Sequence, residues 1–393
     1  MPFAMHCRRW PAPVANLHAL LCALSCTLLC TLPCAVLTTA VRPASAADPH
    51  ALSLALALRQ DRHGVTVEAD GGPFASYVID ESNKPYLWPV IGPTLKPMTR
   101  AYPMRNLPEE PLAQRDHPHH RGITFGHENL AGADSWHDRS TFDQSATDQA
   151  PPGQAVTPID PAVAERRRQQ LSLLGRIAHR EFSLLALDAD KAVIEEVCDH
   201  LDAAGKPVLV EHRRLTFRAE KTRRMIDIDQ DFLTPHDSGP VRVGDNKDAG
   251  LFVRVPTSMA VDSKQGGAIV NSDGLLDADA WSKPARWCDY HGPVAGEHLG
   301  IAILNHPTSH RHPTRWHVRT YGLFAANPFA SRGYDAALPD AATTIAPGEV
   351  LRLRHRILLH VGDERAAAVD DAWQQYARET PAPVAATNEP ATH

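Results

Sequence analysis

Histidine side chains are concentrated in two stretches of this sequence. Residues 116–138 and 287–319 together hold eleven of the 22 histidines. The first stretch contains the run Asp116-His-Pro-His-His-Arg-Gly122, followed by Trp136-His137. Because the ordinary pKa of imidazole lies close to neutrality, such rings can donate or accept a proton, or bind a metal ion, at neutral pH. We therefore expect the two stretches to face one another across one pocket.

Paired imidazoles, or an imidazole beside a carboxylate, favour acid–base catalysis on a sugar. The donor and the acceptor need different pKa values, which burial can provide. The chain has no Gly-x-Ser-x-Gly motif that would indicate a serine nucleophile. The predicted catalytic residues are His119, His120, His137, Asp289 and His317.

Aromatic, basic and amide side chains in and beside these stretches suit a small-molecule carbohydrate substrate. The apolar face of a sugar ring can pack on aromatic rings. The alternative is that these aromatic residues are buried in the core. Charged and amide groups would bind the sugar hydroxyls or a keto oxygen. The predicted substrate-binding residues are His117, Arg121, His127, Trp136, Lys247, Arg254, Tyr290, His306, Trp316, Arg319, Tyr321 and Asn327.

A metal site is the alternative interpretation of the first stretch. In an extended segment His117 and His119 lie on one face, which is a common start of a metal site, and His137 could complete the set. The glutamate that a cupin carries shortly after its second histidine is absent, and the spacing matches no standard site. We therefore predict chemistry without a cofactor, with a divalent metal ion as the alternative.

The first 46 residues have the features of an export signal. Arg8 and Arg9 precede an apolar run from Leu17 to Leu37, and Ala44-Ser-Ala46 fits a cleavage site. A membrane anchor is the alternative for this run. Cleavage would remove three arginines and no acidic residue from a chain whose net charge is already −6, which argues against nucleic acid as a partner. The expected product is an exported protein, periplasmic or secreted, with no membrane association after cleavage.

Short segments of alternating polarity, separated by turn residues, follow the leader. This pattern predicts antiparallel strands, and the clearest hairpin covers residues 192–217. We expect an all-β fold: one large antiparallel β-sandwich over residues 47–380, with a single C-terminal helix at Glu364–Arg378. Residues 144–170 are predicted to be a flexible insert and residues 381–393 a disordered tail. Cys198 and Cys288 are the only cysteines after the leader, so one disulfide bond is possible.

Several motifs resemble those of the bacterial PmoA-like family. They are Lys84-Pro-Tyr-Leu-Trp-Pro89, the run from Asp116 to Gly122, Trp287-Cys-Asp-Tyr290 and Trp316-His-Val-Arg-Thr-Tyr-Gly322. The similarity extends from about Lys84 to Leu359. It implies a β-sandwich resembling the galactose-mutarotase-like proteins, and a place among the exported proteins of sugar-degrading bacteria, in a family without an assigned activity.

Residues and resemblance together predict an exported carbohydrate-active enzyme. Histidine and aspartate side chains would cleave or isomerise a glycoside or an oxidised (keto) sugar by acid–base catalysis. A sugar-binding protein without catalysis is one alternative. A metal-dependent lyase or oxygenase that uses the histidines is the other.

Overall fold

The computed structural model describes residues 53–108, 110–143 and 160–381. The leader, most of the insert and the tail after residue 381 lie outside these ranges. The signal peptide, the cleavage site and the disordered tail therefore stay predictions.

Strands are the main secondary structure of the described chain. In chain order they are β1 Leu56–Asp61, β2 Gly64–Ala69, β3 Gly72–Val78, β4 Tyr86–Val90, β5 Ile123–His127, β6 Arg176–Leu187, β7 Ala192–Leu201, β8 Pro207–Ala219, β9 Arg223–Leu233, β10 Val241–Val243, β11 Ala249–Arg254, β12 Ala268–Asn271, β13 Trp287–Val294, β14 Glu297–Asn305, β15 Arg315–Val318, β16 Leu323–Asn327, β17 Thr343–Ile345 and β18 Leu351–Val361.

Two eight-stranded antiparallel sheets form the sandwich. The first sheet has the order β1-β2-β3-β4-β5-β11-β16-β15, and the second has the order β12-β13-β14-β18-β9-β8-β7-β6. Strands β10 and β17 form a separate two-stranded sheet. The main hydrophobic core takes residues from both large sheets, so it lies between them. The predicted all-β antiparallel sandwich is confirmed.

The alternation of side chains along each strand decides what faces the core. On β11, Leu251 and Val253 belong to the core between the sheets, so Phe252 and Arg254 point to the outer face. On β13, Cys288 belongs to that core, which leaves its neighbours on the opposite face. Each sheet therefore has an inner face that is mostly apolar and an outer face that is free to carry polar groups.

Three α-helices occur in the described ranges, where one was predicted. They are α1 Arg139–Asp143, α2 Pro161–Leu171 and α3 Val369–Tyr376. Helix α2 lies inside the segment predicted as a flexible insert, so that prediction is wrong from residue 161 onward; residues 144–159 lie outside the described ranges. Asp160 starts this helix by accepting a hydrogen bond from the backbone N–H of Ala162 at 2.7 Å.

The C-terminal helix is shorter than the predicted span. Ala368 has a left-handed backbone with φ of 49°, which a continuous α-helix cannot contain. The preceding residues form turns, in which Asp363 accepts a hydrogen bond from the N–H of Ala366 at 2.8 Å. Helix α3 therefore begins at Val369 rather than at Glu364.

Two smaller features concern the cysteines and the helix lengths of the described residues. Cys198 and Cys288 are both free and buried, so no disulfide joins them. Within the ranges that the structure covers, no helix is long and apolar enough to span a bilayer.

Candidate functional site

Trp136 lies at the centre of a set of polar side chains on the outer face of the first sheet. Its indole packs on Phe252, Leu323 and Ala325, which the outer faces of β11 and β16 present. The backbone of Trp136 also passes close to Gly126 of β5, where an added Cβ would lie 3.1 Å from the Trp136 Cα. The glycine therefore lets the loop that carries Trp136 lie against the sheet.

The loop of residues 134–138 is held by buried hydrogen bonds. Asp134 accepts from the N–H groups of Trp136 at 2.9 Å and His137 at 3.0 Å through one carboxylate oxygen. The Lys84 ammonium donates to the Trp136 carbonyl at 2.7 Å, and the Asn83 amide donates to the His137 carbonyl at 2.6 Å. These bonds fix the position of the His137 ring above the sheet.

The Asp116–Gly122 turn supplies three more histidines. Gly122 has φ of +47°, and a Cβ at this position would lie 2.0 Å from the Leu87 carbonyl oxygen, so only glycine fits. At the start of the turn, one oxygen of Asp116 accepts from the guanidinium groups of Arg100 at 2.8 Å and Arg254 at 2.7 Å. The other lies 2.7 Å from Nδ1 of His117. Asp116 thus anchors the turn to the sheet.

Five imidazole rings meet around Trp136, and we call them the histidine cluster: His117, His119, His120, His137 and His317. The His119 ring centroid lies 4.3 Å from that of His120 and 4.6 Å from that of His137. His117 is stacked on His120 at 4.9 Å. His317, from β15, is stacked on the Trp136 ring at 6.2 Å. The two histidine-rich stretches of the sequence therefore do meet in space.

The cluster holds imidazoles whose pKa values are shifted in opposite directions. Burial, with the charge of His137 added, lowers the pKa of His119 well below its ordinary value. Burial beside His119 and Arg254 does the same to the pKa of His120. Burial would also lower the pKa of His137, but the hydrogen bond and charge of Asp134, 2.9 Å from its Nδ1, outweigh it and raise the pKa. Such a division is typical of acid–base partners.

Two further carboxylates, Asp248 and Glu128, take part in the electrostatic interactions of the cluster. Burial lowers the pKa of His317 to about 4, although Asp248 lies 3.5 Å from its Nδ1 and acts in the other direction. Burial and the charge of Asp248 raise the pKa of Glu128. Asp248 therefore acts on both, and its charge also contributes to the raised pKa of His137.

The solvent-facing side of the cluster carries an aromatic ring and cations. The Tyr321 ring is stacked on the exposed His117 ring at 5.2 Å. The guanidinium of Arg319 lies 5.8 Å from the Tyr321 ring centroid; it has no ion pair among the residues that the structure describes. Lys247 is exposed and pairs with Asp248, and Arg121 lies 3.4 Å from Asp138. This side of the cluster could bind a polar molecule against aromatic surface.

Asp289 is not part of the cluster, so its predicted place in a shared site is wrong. It lies on the outer face of the second sheet, hydrogen-bonded to His291 at 2.7 Å and His360 at 2.7 Å. The reason is the period of two along β13: Cys288 and Tyr290 point into the core, so Asp289 points to the other side.

Three residues predicted to bind substrate point into the interior instead. Tyr290 and Trp316 belong to the core between the sheets. Their polar atoms form hydrogen bonds with the backbone; Trp316 Nε1 donates to the Ala285 carbonyl at 3.1 Å. His127 has no exposed surface and packs against Phe329 at 5.2 Å. In each case the neighbouring residue on the strand faces outward and this one faces the core.

Four further predicted binding residues have structural roles. His306 lies against Tyr376 of α3 at 4.9 Å, away from the cluster. The Asn327 amide is fully buried and donates to the carbonyls of Asn246 and Lys247 at 3.0 Å each. Trp136 is 1 % exposed, so it supports the imidazoles instead of offering a surface to a sugar. Arg254 is buried on Asp116. The remaining predicted residues, His117, Arg121, Lys247, Arg319 and Tyr321, lie at or beside the cluster.

Sequence reasoning missed the carboxylates and cations that control the imidazoles. Asp134 and Asp138 stand within a few residues of Trp136-His137, so the run Asp134-Ser-Trp-His-Asp138 carried a local signal for them. Arg100 carried none, because only folding brings it to Asp116. Lys84 belongs to the same buried set, and burial lowers its pKa to about 8 against the charges of Asp138 and Asp134.

A group able to hold a metal ion exists at the cluster, but it differs from the predicted one. Ligand atoms of Glu128, Asp134 and His137 all lie within 4.8 Å of one another. The predicted set of His117, His119 and His137 does not form such a group within the described ranges. Nδ1 of His117 faces Asp116, and Nδ1 of His119 faces Thr141. One imidazole and two carboxylates suit a divalent ion of the zinc or manganese type.

Comparison with known proteins identifies the family. The model of the family of unknown function DUF6807 matches residues 64–374, which is most of the chain. The chain belongs to this family. The match does not confirm the resemblance to the PmoA-like proteins, which stays a prediction.

Two further comparisons add little. No curated protein matches the chain. Among solved structures, a provisionally assigned aldose 1-epimerase from Escherichia coli K12 matches with a TM-score of 0.24 and 12% identity, over 48% of this chain and 70% of that one. A TM-score of this size does not show a shared fold.

Proposed function

We propose that the histidine cluster catalyses proton transfer on a small sugar, opening and closing or epimerising an aldose ring at its anomeric carbon. One observation carries the proposal. His119 and His137 lie side by side with ring centroids 4.6 Å apart, and their pKa values are shifted in opposite directions. A neutral imidazole beside a protonated one provides a base and an acid at the same pH.

His137 is the acid in this proposal. Its Nδ1 faces Asp134 at 2.9 Å, and that carboxylate stabilises the imidazolium. Its Nε2 has no hydrogen-bond partner among the described residues, so the second N–H can donate to substrate. The side chain is 18 % exposed, which leaves this nitrogen within reach of a bound molecule.

His119 is the base. Its Nδ1 lies 2.9 Å from the Thr141 hydroxyl, and an Nδ1–H that donates to this oxygen leaves the lone pair on Nε2. The buried ring resists protonation because charge is costly there and His137 already carries one. The neutral form therefore persists at pH values where His137 is protonated.

Adjacent imidazoles suit the anomeric centre because its two oxygens share one carbon. His119 would take the proton of the anomeric hydroxyl while His137 gives a proton to the ring oxygen. The bond between that carbon and the ring oxygen breaks, and a carbonyl forms at the anomeric carbon. Reversal after rotation gives the other anomer, with both imidazoles returned to their starting states. Tyr321 and His117, stacked at 5.2 Å, offer the surface on which the sugar ring would pack.

A metal-dependent reaction is the second candidate, because Glu128, Asp134 and His137 form a group of metal-ligating type. An ion bound there would take His137 out of its role as acid. Exhaustive chelation then distinguishes the two candidates: activity that survives it supports the metal-free pair, and activity that is lost with the metal and restored by it supports the ion.

The test is a panel of reducing sugars followed by proton NMR, which detects anomer interconversion directly. Purified chain is added to a freshly dissolved single anomer of each sugar, and the approach to equilibrium is compared with buffer alone. We expect faster interconversion of at least one aldose, and its loss in His119→Gln. Binding of a sugar without any acceleration would instead identify a sugar-binding protein.

A further inference from the structure

Asp289 belongs to a second polar cluster that the proposed reaction does not use. It lies on the outer face of the second sheet with His291, two residues along β13, and with Glu364 from the segment that precedes α3. Asp289 has no exposed surface, and the side chains of His291 and Glu364 are 9 % and 13 % exposed. Two carboxylates and an imidazole are thus brought together away from bulk water.

The ligand atoms of the three side chains lie close enough around one point to share an ion. Nδ1 of His291 lies 2.7 Å from one oxygen of Asp289 and 3.8 Å from an oxygen of Glu364. One ligand atom from each of the three residues lies within 4.8 Å of the other two. An ion at that point could contact all three, since first-row divalent metals bind such atoms at about 2.0–2.2 Å.

A fourth residue orients the central carboxylate. His360 is 2 % exposed, and its Nε2 lies 2.7 Å from the second oxygen of Asp289. The ring fits only because Gly300 lies beside it: a Cβ there would be 2.1 Å from the His360 Cε1. Nδ1 of His360 is buried and has no hydrogen-bond partner among the described residues. The bond of this second buried imidazole to the carboxylate is the arrangement in which an outer residue fixes a metal ligand.

We propose that Asp289, His291 and Glu364 bind one divalent transition-metal ion of the zinc type, with His360 as the positioning residue. Three protein ligands leave a fourth position for water. Mixed nitrogen and oxygen donors favour zinc over calcium, which takes six to eight oxygen ligands. The ion would join β13 to the segment before α3, so it would hold the C-terminal helix on the second sheet. This site is independent of the proposed acid–base function.

The experiment uses the full chain, stripped with chelator and titrated with Zn²⁺. Bound metal is measured by mass spectrometry after dialysis, and the melting temperature is recorded with and without Zn²⁺. We expect one ion per chain and a higher melting temperature in its presence, since the ion binds the folded chain. Ca²⁺ at the same concentration should not displace it.

Four glutamine variants locate the ion. Glu364→Gln should weaken Zn²⁺ binding by at least about tenfold, and His360→Gln should weaken it by about 10–100-fold because an outer partner is lost. Glu128→Gln removes a ligand from the other candidate group, and Glu165→Gln removes an exposed carboxylate on α2. Both should leave binding unchanged. Circular dichroism confirms that each variant folds.

Two results would overturn the proposal. One is a parent chain that retains no stoichiometric Zn²⁺, in which case the cluster is a buried hydrogen-bonded group between imidazoles and carboxylates. The other is unchanged binding in Glu364→Gln, or loss of the ion in Glu128→Gln alone, which would assign the ion to the first sheet.

Discussion

Buried carboxylates on the outer faces of the two sheets pair with different cationic side chains. On the second sheet, the carboxylates of β9 meet arginines from β8 and β18: Asp227 lies 2.6 Å from Arg218 and 2.5 Å from Arg356. On the first sheet, Asp134 faces the imidazole of His137 at 2.9 Å. A guanidinium stays charged at any physiological pH, whereas an imidazole can release its proton.

This difference separates a structural role from a chemical one. The charges of Asp227 and Arg356 stabilise each other, so the pKa of Asp227 is lowered: burial alone would raise it, and Arg356 outweighs burial. No proton is free to move in such a pair. At the histidine cluster, burial and carboxylates act on neighbouring imidazoles in opposite directions, and protons can move between accessible states near neutral pH.

The largest effect is expected at the cluster. His119→Ala should lower turnover by about 10²–10⁴-fold, the usual contribution of a general base, with a much smaller change in substrate affinity. Turnover is measured by NMR on the sugar identified in the panel. His236→Ala, which changes an exposed histidine, is the control and should be fully active. Full activity of His119→Ala would show that another residue is the base.

The complementary change on the second sheet should affect stability and leave the chemistry intact. Asp227→Ala removes one of the two carboxylates that pair with the buried Arg356, and Glu379 keeps the other pair. The free energy of unfolding should fall by about 1.5–3 kcal/mol, the usual value of hydrogen bonds to a charged group. Urea denaturation measures it. Arg168→Ala, which breaks the exposed pair with Glu165 on α2, should leave it nearly unchanged because solvent screens that pair. Loss of turnover in folded Asp227→Ala would contradict the division between the two faces.

The pH profile of turnover gives an intermediate effect. Activity should fall as pH rises through the raised pKa of His137, because the acid loses its proton. It should also fall at low pH, well below 6.5, where His119 becomes protonated. In Asp134→Asn the charge that stabilises the His137 imidazolium is gone, so the alkaline limb should move to lower pH. An alkaline limb that does not move would exclude His137 as the acid.

The same shifts give opposite signs for stability. His137 has a raised pKa in the folded chain, so it contributes stability below about pH 6.5 that is lost as pH rises through the raised value. His119 has a lowered pKa, so stability is lost as pH falls from about 6.5 towards that value, because only the unfolded chain takes up the proton. Urea denaturation of His119→Gln, compared with the parent at both ends of this range, should show a reduced loss at low pH.

The smallest effect is expected at the rim of the cluster. Arg319→Ala should raise KM by about tenfold and leave kcat nearly unchanged, because its guanidinium has no ion pair in the described chain and lies by Tyr321, where it can bind substrate oxygens. Steady-state kinetics on the same sugar provide the measurement. An equal fall in kcat would move Arg319 from binding to the reaction itself.

Much of the architecture could be predicted because strand periodicity is local. The alternation in β9 and β18 and the Gly and Pro at the bend before β8 are visible in the sequence and require no distant contact. Prediction failed where the role of a residue depends on the face of the sheet to which its side chain points. Tyr290, Trp316 and Asp289 were assigned to the site for their chemistry, but their strand positions place two in the core and one on the other sheet.

Helix prediction failed for a related reason. The alanine run before α3 favours helix by intrinsic propensity, yet Ala368 adopts a left-handed conformation and delays the start. In the insert, a composition that suggested flexibility gives way to α2, where Asp160 and Pro161 provide a cap and a first position suited to a helix. In the insert, local end signals outweighed average composition.

The sequence alone determined the antiparallel sandwich and the chemical character of the Asp116–His137 stretch, since both depend on residue type and short spacing. Tertiary structure decided which of those groups act together. Arg100 and Arg254 reach Asp116, and Asp248 reaches His317, across distances in the chain that no local pattern encodes. It also decided the protonation states, because the pKa of an imidazole depends on its burial and on the charges that folding places beside it.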